Sequence, residues 1–438
     1  MRSAVLLGLL VGLASAQCGN SLGPWQRGAD IPLTHIESAA VSLDNRLYVI
    51  GGFYTTDLQA TPQVHIYDAE TNTWSRGADA PVSKSHAQAA AWKRSNLDPA
   101  PSKVGRSIFT AAGYLGQHPG PASNQVWRYD TIDDAWERYA DLPVNRSAGG
   151  LVVDSRDRLH YISGLIDRNN DSGLHWYLDL RSNDSQWMSF KTPVPRGHFP
   201  AVLFGDYIYV PGGVTGHDNE PLVEQDVFHR FDIYNETWST LQSLPFPRSH
   251  AEAVTFFVNN RLLQIAGRNK NPGYPGVLNS IAEYDVSSDS WQYLRSLPNT
   301  LTAPAGGFFS DITFNNVKGD YLVVTTGGID YNIPQQVTWI SKVEWNCTTP
   351  IPLDPYYRTE VRTLGTMSDS SSTSTALTTS EGVTRSSSAT SVTKSQTNSV
   401  SSKNVVSSTA DNEGSNEVSG SVVACASLSL LLLFSLFV

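Results

Sequence analysis

Cysteine is scarce in this sequence, with three in 438 residues, which excludes a disulfide-dense scaffold and a four-cysteine zinc site. Charge is sparse as well. Asp, Glu, Lys and Arg make up 16% of the chain, and the formal net charge of −10 comes with no block of Lys or Arg, so nothing suits a protein that tracks phosphates on nucleic acid or on an anionic lipid surface. Long apolar runs are absent between the two ends. A Ser-His-Asp arrangement, a phosphate-binding loop and a paired-carboxylate motif do not stand out either. What is present is 40% hydrophobic and 10% aromatic content, enough for a substantial core. The length exceeds one ordinary domain unless that domain is a repeat array or a large barrel.

The ends of the chain carry targeting signals. Met1-Arg2, an apolar run over 5–13 too short to span a bilayer, and Ala14-Ser15-Ala16 match a secretory leader, so residues 1–16 are expected to be removed and the mature chain to start at Gln17. A second apolar stretch, 422–438, ends the sequence with no Lys or Arg after it. With a polar spacer and small residues ahead of it, this reads as a glycosylphosphatidylinositol (GPI) attachment signal. Asn412 is then the attachment site, Gly414 the second candidate, and 413–438 the discarded propeptide. A short tail-anchored helix is the competing reading. Between 366 and 409, 26 of 44 residues are Ser or Thr, too little apolar surface to repay the entropy of ordering. Residues 366–412 therefore read as a disordered, O-glycosylated stalk, joined by a linker over 351–365. Asn145, Asn170, Asn183, Asn235 and Asn346 open N-glycosylation triplets, which fits a secreted chain.

The middle of the chain repeats about every fifty residues. A small pair ending in Gly follows a β-branched or aromatic run at Gly51-Gly52, Ala112-Gly113, Ser163-Gly164, Gly212-Gly213, Ala266-Gly267 and Gly327-Gly328. Downstream, an aromatic-Asp pair precedes a Trp by seven residues at Tyr67-Asp68, Tyr129-Asp130, Phe231-Asp232 and Tyr284-Asp285, with a stretched version at Leu178-Asp179. The runs between turn signals are short and β-rich, and no amphipathic helix of useful length interrupts them. Four antiparallel strands per unit, six times over, predict an all-β, six-bladed β-propeller. The glycine pairs are expected where a Cβ would collide as inner strands crowd toward the axis.

These diglycine, Tyr-Asp and Trp spacings resemble kelch repeats and cover residues 25–345, within a propeller domain over 17–350. Unit six lacks the Trp. The segment Trp25-Gln26-Arg27-Gly28-Ala29-Asp30-Ile31-Pro32 copies Trp74 to Pro81 closely, so the N-terminal strand is expected to be the outer strand of the last blade and to close the ring. That closure brings Cys18 and Cys347 into one blade of a secreted protein. A disulfide is the economical reading, the alternative being two free thiols. Cys425 leaves with the GPI propeptide.

In such a blade the loop leading into strand one and the loop leaving strand two share one mouth. Counting from the Pro that ends each lead-in segment, the third residue is His35, Lys84, Arg146, Arg196, Arg248 or Leu301, and the fifth is Glu37, His86, Ala148, His198, His250 or Ala303. His35, Lys84, His86, Arg146, Arg196, His198, Arg248 and His250 are therefore the candidate ligand contacts of a cationic mouth suited to a carboxylate, an acidic sugar or an acidic peptide. Blade-to-blade hydrogen bonding is the competing role for the arginines. The spacing of His86, His198 and His250 follows the repeat and matches no ligand motif, so no metal and no cofactor are expected. Asp218, Glu220, Glu224 and Asp226, in one long exit loop, read as a solvated acidic tip. Galactose oxidase is similar in fold only, because both retained cysteines are better used in closure than in its thioether-linked Tyr-Cys pair. One degenerate Asp box, at 169–176, does not make a sialidase. The resemblance implies recognition of an extracellular protein or glycan, with no nucleic acid and with membrane contact through the GPI lipid only. A surface carbohydrate-active enzyme using the same mouth is the alternative.

Overall fold

The computed structural model describes residues 18–93, 106–182, 185–217, 221–330 and 333–347. The leader at 1–16, the linker and stalk, Asn183, Asn412 and the propeptide lie outside the described residues.

Six four-stranded antiparallel sheets surround one axis. Blade one is built from Ala39–Leu43, Arg46–Ile50, Val64–Asp68 and Thr73–Gly77, and blade two from Gln88–Trp92, Ser107–Ala111, Val126–Asp130 and Ala135–Arg138. Blade three uses Gly150–Val153, Arg158–Ile162, Leu174–Asp179 and Met188–Lys191. Blade four uses Val202–Phe204, Tyr207–Pro211, Phe228–Asp232 and Thr237–Thr240, and blade five Thr255–Val258, Arg261–Ile265, Ile281–Asp285 and Ser290–Leu294. Blade six takes Ala305–Phe314, Val317–Thr325 and Thr338–Cys347 from the end of the repeat region and completes itself with Cys18–Leu22 and Gln26–Arg27. The inner strands touch in succession, and that of blade one meets that of blade six. The only helix among the described residues is a 3-10 turn, Glu252–Val254.

Ring closure follows the expected register. Leu22 pairs with Val343 and Cys18 stands opposite Cys347, while Trp25 packs on the cluster that holds Val343, Leu322 and Leu297. Its indole also explains why the repeat carries a Trp at all. Trp25 Nε1 donates to the Ser296 carbonyl of the preceding blade (2.9 Å), as do Trp74 to Ala29 (2.8 Å), Trp136 to Ala78 (2.9 Å), Trp187 to Ala140 (3.3 Å) and Trp291 to Gln242 (3.0 Å). Each Trp is thus an apolar wedge with one polar tip fastened across a blade seam. Trp238, in blade four, is the exception.

The small pairs have a different purpose from the expected relief of crowding on the inner strands. They sit where strand two ends, and both members lie at positive φ. The second amide donates across the seam to the third-position carbonyl of the next blade: Gly52 to Lys84, Gly113 to Arg146, Gly164 to Arg196, Gly213 to Arg248, Gly267 to Leu301 and Gly327 to His35, all at 2.8–2.9 Å. In blade six this pair is Thr326-Gly327, one residue earlier than the Gly327-Gly328 expected, because it is Gly327 that donates and Thr326 that holds the first left-handed position (φ 54°). Ala112, Ser163, Ala266 and Thr326 tolerate the first position near φ 54–63°. The second does not admit a Cβ. At Gly113 (φ 94°) one would lie 2.7 Å from the Ser85 carbonyl oxygen. Gly113→Ala is therefore expected to lose at least about 2 kcal/mol more stability than Gly116→Ala, where φ is also positive but the space is open. Urea denaturation of the two variants measures this, and equal losses would contradict it.

Candidate functional site

The fifth-position residues form an annulus around the axis. His86 N donates to Glu37 O (3.0 Å), Ala148 N to His86 O (2.9 Å), His198 N to Ala148 O (2.8 Å), His250 N to His198 O (3.2 Å) and Ala303 N to His250 O (3.0 Å). One backbone hydrogen bond per step links six blades head to tail. All six residues are non-glycine and left-handed, with φ between 45° and 56°, a conformation that costs roughly 1–2 kcal/mol each for an L-residue. Ala serves at two of the positions, so the backbone does not require imidazole or carboxylate there. Four bulky polar side chains, Glu37, His86, His198 and His250, nonetheless occupy the ring.

These side chains converge. His198 and His250 stack with centroids 3.8 Å apart and planes at 6°, and His86 meets His198 edge-on at 5.1 Å. His217, from the strand-two exit loop of blade four, stacks on His198 at 4.5 Å. Two carboxyls complete the group. Glu252 Oε1 is 3.1 Å from His198 Nδ1, while Glu37 reaches His250 Nε2 at 3.4 Å and His198 Nδ1 at 3.8 Å. Burial, then the Glu252 charge, pushes Glu37 up to about 8, and burial pushes Glu252 up to about 7. Burial, reinforced by neighbouring imidazoles and Arg268, holds His198 and His250 well below the ordinary imidazole range. Near neutral pH His198 and His250 are therefore uncharged beside a protonated Glu37, which is what lets these two rings stack face to face in the interior.

The third-position ring lies beneath the mouth and is consumed by the framework. Arg196 donates from Nε to Gly212 O (2.7 Å), from Nη2 to Val210 O (3.0 Å) and from Nη1 to Val194 O (3.1 Å). Arg248 Nη1 serves the carbonyls of Gln264, Ala266 and Ser280 at 3.0–3.1 Å, and its Nη2 the Ser280 hydroxyl. Arg146 bonds Asn145 O and Ser172 Oγ and covers the Trp176 ring. Lys84 Nζ donates to Gln125 O (3.2 Å), with burial, then the Arg138 charge, pulling it down to about 7. His35 Nδ1 lies 2.7 Å from Gly51 O and Nε2 3.1 Å from His65 Nδ1. All five are buried. Their donors reach carbonyls and hydroxyls of their own blade around the strand-two exit, so the link they make is within a blade, and the cationic mouth expected from this ring does not form from it.

The charges at the mouth come instead from exit loops. A cavity of about 120 Å³ there is lined by Glu37, His86, His217 and His250 of the central group together with Arg168, Arg268, Lys270, His118, Phe53 and Leu58. Arg168 lies over the Tyr114 ring at 4.2 Å, and Arg268 Nε is paired with Glu224 at 2.8 Å. Glu224 is buried, so the acidic exit loop is not simply a solvated tip, and Asp218 and Glu220 lie outside the described residues. Below the annulus runs an axial channel of about 390 Å³ lined by inner strands and by Glu252. Asn145, Asn170, Asn235 and Asn346 are exposed.

His217, Glu252, Arg168 and Arg268 escaped the sequence reading. None occupies the third or fifth position counted from the Pro that ends a lead-in segment, and only the lengths of the exit loops over 214–226 and 268–279 signalled the regions of His217 and Arg268. Because Arg248 satisfies four buried acceptors, Arg248→Ala is expected to destabilise the propeller by about 2–4 kcal/mol. Equilibrium unfolding at neutral pH measures it, and a loss under about 0.5 kcal/mol would contradict the framework role.

Comparison with known proteins places this geometry. Residues 100–328 match the KLHDC2/KLHL20/DRC7 Kelch-repeats domain and residues 37–81 the Kelch motif. The Kelch repeat-containing protein At3g27220 of Arabidopsis thaliana is 24% identical over 330 residues, covering 70% of this chain and 71% of that one. Kelch-like protein 36 of Rattus norvegicus is 27% identical over 151 residues, 34% of this chain and 23% of that protein, so only about a quarter of that relative is represented here. Kelch-like protein terF of Aspergillus terreus is 22% identical, with 67% of each chain covered. The solved structure of YjhT superposes with a TM-score of 0.53 at 12% identity, covering 73% of this chain and 99% of that one, a likeness of fold.

Proposed function

The chain belongs to the kelch-repeat family, and on that premise we propose that it is a recognition propeller displayed at a cell surface or wall, with the exit-loop rim as its contact for an extracellular protein. The observation that carries this is the contrast between rim and cavity. Ile166, Val223, Ile329 and Ile333 are 38–44% exposed on exit loops of blades three, four and six, near Arg168 and Lys270, while the mouth cavity of about 120 Å³ falls well below the several hundred Å³ typical of small-molecule sites. Exposed aliphatics among cations on loops from several blades suit a protein surface, and an extended glycan would gain little from them. A catalytic reading has one observation in its favour, the protonated Glu37 beside neutral imidazoles, which is an acid–base arrangement. The size of the cavity argues against a sugar reaching it.

The address rests on the leader, the Ser/Thr-rich stalk and the GPI signal, with exposed Asn145, Asn170, Asn235 and Asn346 as N-glycan carriers. A disulfide between Cys18 and Cys347 belongs to the same reading. Its support is their cross-strand register, and closing so long a loop contributes about 6 kcal/mol in the chain-entropy model. Peptide mapping without reductant should recover the two cysteine peptides joined. Recovery of both as free thiols would refute the bridge.

For the rim, the purified chain is screened against extracellular protein and glycan arrays, and hits are retested with Ile166→Asp and Ile329→Asp. We expect saturable protein binding that weakens at least tenfold in the variants while their melting temperatures hold. Turnover of a saccharide, or binding indifferent to both substitutions, would contradict the reading.

A further inference from the structure

We propose that His86, His198 and His217 form a site for one divalent first-row transition metal, zinc(II) being the ion their chemistry fits best, at the axis of the propeller. Their candidate ligand atoms lie within 4.8 Å of one another. Nitrogens bound tetrahedrally at about 2.0–2.1 Å stand roughly 3.3 Å apart, so closure needs movements of about an ångström. Two of the ligands are fixed by the backbone annulus. The third sits on an exit loop, where such a movement costs least.

The independent observation is an orphaned nitrogen. His198 is fully buried, and its Nε2 has no hydrogen-bond partner among the described residues. A buried polar atom left unmatched carries its full desolvation cost, and coordination removes that penalty. The opposite nitrogen, Nδ1, already faces Glu252 Oε1 at 3.1 Å, the carboxylate–imidazole pairing that orients a metal ligand and raises its basicity. His86 is arranged in the same sense, with Nδ1 3.0 Å from Ser85 Oγ.

A second set, Glu37, His198 and His250, also falls within reach. In that set Glu37 approaches His198 at Nδ1 (3.8 Å), the nitrogen that Glu252 already faces, so an arrangement that engages the orphaned Nε2 with His86 and His217 is favoured. Arg268 is the cation that most opposes a metal here, and it is paired with Glu224 at 2.8 Å. Three imidazoles leave a fourth position for zinc. Because His86 and His217 line the mouth cavity, that position is reachable from the mouth, where a water or a carboxylate or imidazole of a bound partner can take it. The His residues are not explained by the repeat, since Ala stands at two equivalent places and His217 is off the repeat positions altogether.

The test is metal uptake by the intact purified chain after treatment with a chelator and dialysis. Zn²⁺ is titrated by calorimetry, and Co²⁺ is substituted to read geometry from its visible absorption. We expect about one ion per chain, tetrahedral cobalt bands and a raised melting temperature with saturating zinc. His217→Ala should weaken zinc binding at least tenfold while the metal-free melting temperature stays within a few degrees. Glu252→Gln should weaken it by roughly 10–100-fold. Absence of saturable uptake, or uptake that His217→Ala leaves unchanged, would overturn the site.

Discussion

The structure depends on backbone amides that cross blade seams in the left-handed conformation. At each strand-two exit the second residue of a small pair donates to the next blade, and at five of the six lead-in loops the fifth-position amide donates to its neighbour in the annulus. A sheet of four strands has two edges and two apolar faces, and alone it would be marginal. Six of them become one body because neighbouring blades bury each other's faces and share these hydrogen bonds. Glycine at the second pair position follows from both demands at once, positive φ and carbonyl oxygens too near for a Cβ. The chain ends obey the same logic, since the strand before Trp25 supplies the last edge with its partner.

The same circuit sets the chemistry of the centre. Because the annulus is a backbone construction, its side chains are brought to the axis irrespective of type, and the cost of placing them there is desolvation. Burial raises Glu37 and Glu252 and lowers His198 and His250. Two carboxyls can lie against stacked rings in the interior because this shift keeps charge out of it. Arg196 and Arg248, one layer below, are taken up by backbone carbonyls around the strand-two exits, since a guanidinium is the side chain that reaches several at once.

That division explains what sequence could and could not disclose. Periodicity revealed blade number, and the copy of the Trp74 segment at Trp25 revealed closure, since both depend on spacings the repeat preserves. The pair in blade six was misplaced by one residue because Thr326 satisfies the left-handed position without looking like glycine. Arg196 and Arg248 suggested a cationic mouth because composition reports a charge and not the carbonyls it meets. His217 and Glu252 carried no signal, one lying in a loop of irregular length and the other just before the inner strand of blade five. Their meeting with His198 is a product of three-dimensional closure. The mouth as it stands draws its cations from Arg168, Arg268 and Lys270, on exit loops outside the repeat positions.

Residue-resolved hydrogen exchange in the native state tests this account most directly. If the seam bonds hold the propeller together, the five bonded fifth-position amides of His86, Ala148, His198, His250 and Ala303, with those of Gly52, Gly113, Gly164, Gly213, Gly267 and Gly327, should exchange only through global unfolding, in step with the central strands. Exchange of these amides at the rates of the exit-loop tips would contradict it.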